Sequence, residues 1–342
     1  MKQQEIQVLA TFDLPEAHFK RIRDTSDRVK LSMIRAKTAA DVPRARWKET
    51  EVLFTWDVLP EPDLAPQLKW IQFKRAGVDD YIHHPLAERT DLVATTMSGV
   101  INSQMAEYVL MALLAFGQKL PLILEHQRKK KWPAEEDKWK DFLPIELRRS
   151  TVGILGYGSI GRQVARLLKT FGARVLATKR DVMHPEDTGY IPEDMGDPHG
   201  DFFDRLYPVE ALHSLLGESD FVVVTLPLTD ATRHILDADA FKAMKETAYL
   251  VNVGRGELID QQALVDALRT QQIAGAALDV FEQEPLPEDD PLWEMDNVII
   301  SPHISGLSPH LHEETLNLFI ENLNRYVNDL PLYNQIDVNR GY

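Results

Sequence analysis

Short apolar runs alternate with mixed helical stretches along the first hundred residues. Ile6-Gln7-Val8-Leu9-Ala10, Val52-Leu53-Phe54-Thr55 and Leu68-Lys69-Trp70-Ile71-Gln72-Phe73 read as strands, predicting βα units around a parallel sheet. One long helix is expected to start at Asn102 or Ser103, either of which can cap it, and to stop before Pro133. The basic cluster Arg128-Lys129-Lys130-Lys131 at its end is a candidate anion site, but cations also complement a helix C-terminus. From Thr151 the strands become almost continuously apolar: Thr151–Leu155, Arg174–Thr178, Phe221–Leu226, Ala248–Val253, Ala274–Asp279 and Val298–Ser301. Such strands are buried on both faces, as in a doubly wound parallel sheet. A last helix is expected over roughly Pro309 to Leu330. The pattern predicts a discontinuous domain of residues 1–101 and 308–342 around a second of residues 102–307.

Composition narrows the classes. A 342-residue chain has room for two cores. Its net charge of −15 repels phosphate backbones and anionic membranes, so no nucleic-acid or membrane partner is expected. The chain has no cysteine, which removes disulfides and thiolate chemistry. Met1-Lys2-Gln3-Gln4-Glu5 lacks a signal-peptide pattern, and the apolar stretch Tyr108 to Phe116 falls far short of the roughly 20 residues that span a bilayer. A soluble, cytoplasmic protein is expected. Residues 181–208 form an acidic Gly/Pro-rich insertion, read as a solvated loop. Its His184 and His199 match no metal-ligand spacing, and no metal is expected. His83, His84, His310 and His312 read as surface or helix-packing residues, a substrate role being the alternative for the last two.

Gly156-Tyr157-Gly158-Ser159-Ile160-Gly161 is a G-x-G-x-x-G between a buried strand and an amphipathic helix. Gly156 permits the tight turn, Gly158 lets backbone approach a pyrophosphate, and Gly161 allows close packing of helix on strand. The helix N-terminus then offers N–H groups and a positive dipole end to the phosphates. The fold class follows as α/β, with two Rossmann-like domains built on doubly wound parallel sheets. The next strand ends in Thr178, Lys179 and Arg180 where a carboxylate commonly receives the ribose of NAD. A hydroxyl and two cations suit a 2′-phosphate, so NADP is the expected coenzyme, with NAD as second choice. The alternative is that Asp181 reaches the ribose, or that the basic pair faces solvent.

Three further segments follow predicted strands: Val251-Asn252-Val253-Gly254-Arg255-Gly256, Leu278-Asp279-Val280-Phe281-Glu282-Gln283-Glu284-Pro285, and Ser301-Pro302-His303-Ile304-Ser305-Gly306. Open α/β sheets place ligands at such strand ends, so an arginine, a glutamate and a histidine there form a candidate acid–base site. With the glycine motif, these segments resemble the signature of the D-2-hydroxyacid dehydrogenase family in order and spacing. The likeness extends more loosely to Ala76-Gly77-Val78-Asp79 and Ala106-Glu107.

The resemblance implies roles residue by residue. Arg255 would bind the substrate carboxylate and polarise its carbonyl, and His303 would be the general acid–base. Glu284 would be the carboxylate that favours imidazolium, with Glu282 a competing candidate. Asp279 would hold the nicotinamide carboxamide; Thr225, Leu226, Pro227, Thr232, Val253, Gly254 and Gly306 would line the coenzyme. Gly77 and Val78 would offer backbone N–H groups to the substrate carboxylate. Lys74 and Arg75 either assist or are solvated, and Met97-Ser98-Gly99-Val100 matches a substrate-side loop only loosely. The implied activity is hydride transfer between NADP(H) or NAD(H) and a small D-2-hydroxy or 2-oxo acid, with glyoxylate or hydroxypyruvate reduction expected. The discontinuous domain would then bind substrate and residues 102–307 the dinucleotide, in a homodimer. Oxidation of 3-phosphoglycerate or phosphite, and a dinucleotide-sensing corepressor-like role, are the alternatives.

Overall fold

The computed structural model describes residues 4–342 and divides them into two compact units. The first comprises residues up to Val100, Thr188–Tyr190 and Ser308–Tyr342; the second comprises Ile101–Asp187 and Ile191–Leu307.

In the first unit β1 (Ile6–Ala10), β2 (Val29–Met33), β3 (Val52–Thr55), β4 (Trp70–Phe73) and β5 (Val93–Thr95) form a parallel sheet in the order β2-β1-β3-β4-β5. Helices α1 (Glu16–Arg23) and α2 (Arg44–Glu49) connect the first three strands. Strands β3 and β4 are buried at every position, which explains their near-continuous apolar sequence. The edge strand β2 carries Lys30 and Ser32 among its apolar residues, and β5 is three residues long. Neither stands out as an apolar run, and the sequence reading missed both.

The second unit opens with α3 (Asn102–Gly117), α4 (Leu120–Arg128) and α5 (Glu135–Asp141). The single long helix expected here is instead two helices bent by 64°. Lys119 takes a left-handed conformation (φ 57°), and Pro121 falls in the first turn of α4, where its missing N–H costs nothing. Neither expected residue caps α3: Ile101 occupies the N-cap, and Asn102 lies buried inside the first turn. No single helix among the described residues is long and apolar enough to cross a membrane.

A seven-stranded parallel sheet follows, built from β6 (Thr151–Leu155), β7 (Arg174–Thr178), β8 (Arg205–Tyr207), β9 (Phe221–Val224), β10 (Tyr249–Asn252), β11 (Gly275–Leu278) and β12 (Val298–Ile300). Helices α6 (Ser159–Phe171), α7 (Leu212–Glu218), α8 (Ala238–Ala243) and α9 (Gln261–Arg269) join its strands. The order β12-β11-β10-β9-β6-β7-β8 grows outward from β6 in both directions. It therefore has a switch point between β6 and β9, where such sheets open a crevice beyond their carboxyl ends.

Helix α10 (Leu311–Val327) returns to the first unit, stacking Phe319 on Phe54 with ring centroids 4.0 Å apart. The buried Asn322 Nδ2 donates to Gln72 Oε1 at 3.0 Å, tying α10 to β4.

The acidic insertion is not a solvated loop. It contains β8, and its middle is clamped to the first turns of α6. The buried Asp197 carboxylate accepts from Tyr157 Oη at 2.6 Å and from the N–H groups of Gly200, Asp201 and Phe202. Arg162, 1% exposed, donates to the Asp197 and Pro185 carbonyls and lies over the Tyr157 ring. Gln163 Oε1 receives the Gly196 N–H. A buried guanidinium needs this shell of acceptors, and only the insertion supplies it. His184 pairs with Asp181 at 2.7 Å; no group of three or more potential metal-binding side chains occurs among the described residues.

Candidate active site

Strands β10, β11 and β12 are neighbours, and all three run in the same direction. Their carboxyl ends therefore set three loops side by side, carrying Arg255, Asp279 with Glu284, and His303.

The third loop is organised from beneath by Asp279. This fully buried carboxylate accepts from Ser301 Oγ at 2.5 Å and from the N–H groups of Ile304 and Ser305 at 2.8 Å each. Tyr108 Oη lies 2.6 Å from Ser301 Oγ and extends the network to α3. His303 donates its own N–H to the Asp279 carbonyl at 2.9 Å and sits at φ 53°, a left-handed conformation uncommon outside glycine. The Asp279 side chain is thus spent on three internal donors, which makes it the anchor of the histidine loop. Ser301 and Tyr108 escaped the sequence reading, because neither belongs to a motif.

His303 Nδ1 and Glu284 Oε2 are 2.7 Å apart. The other carboxylate oxygen of Glu284 accepts the Phe281 N–H at 3.1 Å, so one end of the side chain is held while the other faces the imidazole. The Glu284–Pro285 peptide is cis. Glu282, the competing candidate, turns elsewhere: its Oε1 lies 3.0 Å from His234 Nε2 and accepts the Gln261 N–H.

Arg255 is half-buried and donates from Nη1 to the Gly254 carbonyl at 2.9 Å. Asn252, the last residue of β10, shapes this loop from both sides. Its Oδ1 accepts the Gly254 N–H and its Nδ2 donates to the Arg255 carbonyl. A buried asparagine closing an apolar strand was the available signal, and the sequence reading did not use it. Gly256 presses on the neighbouring loop so closely that a Cβ there would lie 1.9 Å from the Phe281 carbonyl carbon.

The glycine turn follows β6 at the switch point. Gly156 has φ 101° and donates its N–H to the buried Thr178 hydroxyl at 3.0 Å. A Cβ on Gly161 would lie 2.2 Å from the Gly156 carbonyl oxygen, so helix and turn touch there. At Gly158 a Cβ would meet nothing within 4 Å, leaving open space before the N-terminus of α6, which begins at Ser159. That cradle fits a dinucleotide pyrophosphate. Tyr157 points away into the clamp, and Ile160 packs against the core. On the far side, Thr225 Oγ1 donates to the Gly156 carbonyl, while Leu226 and Gly254 approach each other. Thr232 donates to the Pro227 carbonyl and builds its own loop; Val253 is buried, and Gly306 accepts from Gln104.

At the end of β7, Arg180 is exposed, whereas Lys179 Nζ donates to the His184 and Glu186 carbonyls of the insertion. Burial lowers the Lys179 pKa, aided by the Arg162 charge. Asp181 is engaged with His184 and the Met183 N–H, the histidine hydrogen bond holding its carboxyl below the usual range.

In the first unit Val78 is buried in the core, and among the described residues no acceptor takes the N–H of Gly77 or Val78. Arg75 is spent on Asp80, at 2.6 and 2.8 Å. Lys74 is buried rather than solvated and contacts His312.

The family model described as D-isomer specific 2-hydroxyacid dehydrogenase, NAD binding domain, matches residues 110–305. The chain is 32% identical over 311 residues to a glyoxylate reductase of Korarchaeum cryptofilum, covering 88% of this chain and 86% of that protein. It is 37% identical over 241 residues to the glyoxylate reductase of Aeropyrum pernix, covering 70% and 67%. Among solved structures, the D-isomer specific 2-hydroxyacid dehydrogenase of Xanthobacter autotrophicus in complex with NADPH and MES superposes with a TM-score of 0.82. That likeness is at 27% identity, over 99% of this chain and 100% of the other.

Proposed function

Because the chain belongs to the D-isomer specific 2-hydroxyacid dehydrogenase family and is an NAD(P)-dependent oxidoreductase, we propose that it reduces glyoxylate, hydroxypyruvate or a close 2-oxoacid, with NADP(H) preferred over NAD(H). The observation that carries this reading is the His303–Glu284 pair at 2.7 Å, on strand ends adjacent to the Arg255 loop. Oxidation of phosphorylated acids and a corepressor-like role are not favoured beside glyoxylate reductase relatives.

The bound nicotinamide supplies hydride to the carbonyl carbon. Arg255 holds the substrate carboxylate in its planar fork and draws charge from the carbonyl. His303, as imidazolium, gives its proton to the carbonyl oxygen, and the Glu284 carboxylate stabilises the positive ring before transfer. In the reverse direction His303 takes the hydroxyl proton. Asp279 keeps the histidine loop in place, and Asn252 does the same for the arginine loop.

In this reading residues 102–307 carry the coenzyme, at the turn Gly156–Gly161 and the Thr178–Arg180 strand end. Residues 1–101 and 308–342 carry the Gly77–Val78 N–H groups for a substrate carboxylate. Arg180 and Lys179 favour the 2′-phosphate, Lys179 only if it leaves the two carbonyls that now hold it. A cytoplasmic homodimer is the expected setting, since the coenzyme is supplied inside the cell. The exposed apolar side chains along α4 and α5, with Trp132 86% and Trp139 68% accessible, offer a face for a second copy.

Arg255→Ala, His303→Gln and Glu284→Gln are each expected to lower kcat/KM for the best 2-oxoacid by about 100-fold or more, with NADPH affinity kept. Glu282→Gln is expected to stay within about threefold of wild type, lying outside the pair. Near-normal turnover in His303→Gln, or equal losses at the two glutamates, would refute the assignment.

A further inference from the structure

The first unit contains a cavity of about 390 Å³, large enough for a small organic ligand. It lies where β1, β3 and β4 end, against the first turns of α1 and α10. Gly77 and Val78 are not among its walls.

Lys74 projects into this space and is only 8% exposed. Its Nζ lies 3.2 Å from His312 Nδ1, 4.3 Å from the Phe12 ring centroid and 5.2 Å from that of Trp56. No carboxylate among the described residues comes within ion-pair distance of it. Of the carboxylates in the wall or next to it in sequence, Asp13 and Glu313 are spoken for, and Glu16 and Glu314 form no ion pair with Lys74. Asp13 pairs with Arg35 at 3.3 Å, and Glu313 pairs with Arg21 and with His18.

A buried ammonium without a counter-charge is costly, and the two rings that face it relieve only part of that cost. Burial lowers the Lys74 pKa, and the Lys74 charge in turn lowers that of His312. An ammonium has only donors to offer His312 Nδ1, a contact that suits the tautomer with its proton on Nε2. The N-terminus of α10, a 17-residue helix, adds its positive end at the same wall. Phe12, Phe54 and Leu316 supply apolar surface.

A cation, a second donor and apolar walls share one cavity, and the carboxylate in its wall, Asp13, is paired with Arg35 rather than with Lys74. We propose that this cavity is a binding site for a small organic carboxylate with an apolar body, its carboxylate seated at Lys74 and His312 and its body against Phe12. The site goes beyond the proposed reduction, because it contains neither Arg255 nor His303.

The test is calorimetric titration of the NADPH-bound full chain with 3-phenylpropionate, which has no 2-oxo group to reduce. Binding is expected in wild type, weakened about tenfold or more in Lys74→Met, and within about twofold of wild type in Arg255→Ala. Absence of binding in wild type, unchanged affinity in Lys74→Met, or a requirement for Arg255 would each overturn the proposal. The last pattern would place the probe at the reductase site, leaving Lys74 held by its rings and His312. Should Lys74→Met fail to fold, His312→Glu offers a tethered carboxylate to the same ammonium. It is expected to raise the melting temperature and block the probe; unchanged probe affinity there would also overturn the site.

Discussion

Gly158 and Gly161 look equivalent in a motif, yet they answer to different forces. A methyl at Gly161 collides with the Gly156 carbonyl oxygen at 2.2 Å, a backbone atom that cannot swing aside. A methyl at Gly158 meets open space, and its φ of −92° suits any residue. Gly161→Ala should therefore cost about 1–3 kcal/mol of stability by overpacking. Gly158→Ala should leave the melting temperature within a few degrees and raise the NADPH Kd about tenfold or more, by filling the cradle. Thermal melts and coenzyme titrations of both variants check this, and a destabilised Gly158→Ala with normal coenzyme affinity would contradict it. At this scale the sequence carried the polar residues that stand in motifs and missed those that support them. Arg255, Glu284 and His303 announce themselves by order and spacing. Asn252, Ser301 and Tyr108 work through hydrogen bonds between segments far apart in the chain, which no local pattern records.

Among the elements, strands were the most legible, because burial on both faces leaves an apolar run that polar residues cannot interrupt. Edge strands β2 and β8 lack that constraint and were missed. The insertion is the largest difference. Read by composition it is acidic and loop-like; Glu186, Glu193 and Asp194 are exposed as that reading expects, but Asp197 and Asp187 turn inward on Tyr157 and Arg162. Burial pushes the Asp197 carboxyl up; the Tyr157 hydroxyl, the N–H groups of Asp201 and Phe202, and the Arg162 charge outweigh it, and its pKa ends below the ordinary value. A carboxyl lowered in the folded state contributes stability above its unfolded value of about 3.9 and loses it as pH falls through the folded value. Asp197→Asn should thus cost about 1–3 kcal/mol at neutral pH. The gap to wild type should close in acid below about pH 4 as the wild-type carboxyl takes up its proton. Melting temperatures of the two proteins across that range decide it, and a gap independent of pH would show that the clamp's charge is immaterial.

For the whole molecule, the described residues divide into two units, the first split between residues up to 100, 188–190 and 308–342. The residues 188–190 that count with the first unit were not anticipated, since they belong to the insertion. The apolar face along α4 and α5 predicts a dimer in sedimentation at micromolar concentration, and Trp132→Glu with Trp139→Glu should shift it to monomer; a wild-type monomer would remove that proposal. The central claim is reduction of a 2-oxoacid by His303-assisted hydride transfer. It is tested most directly by NADPH and NADH oxidation over a panel of glyoxylate, hydroxypyruvate and related 2-oxoacids. Rapid turnover with at least one small 2-oxoacid and a higher kcat/KM with NADPH are expected. Slow turnover across the panel with both coenzymes, or an NADH preference, would contradict it.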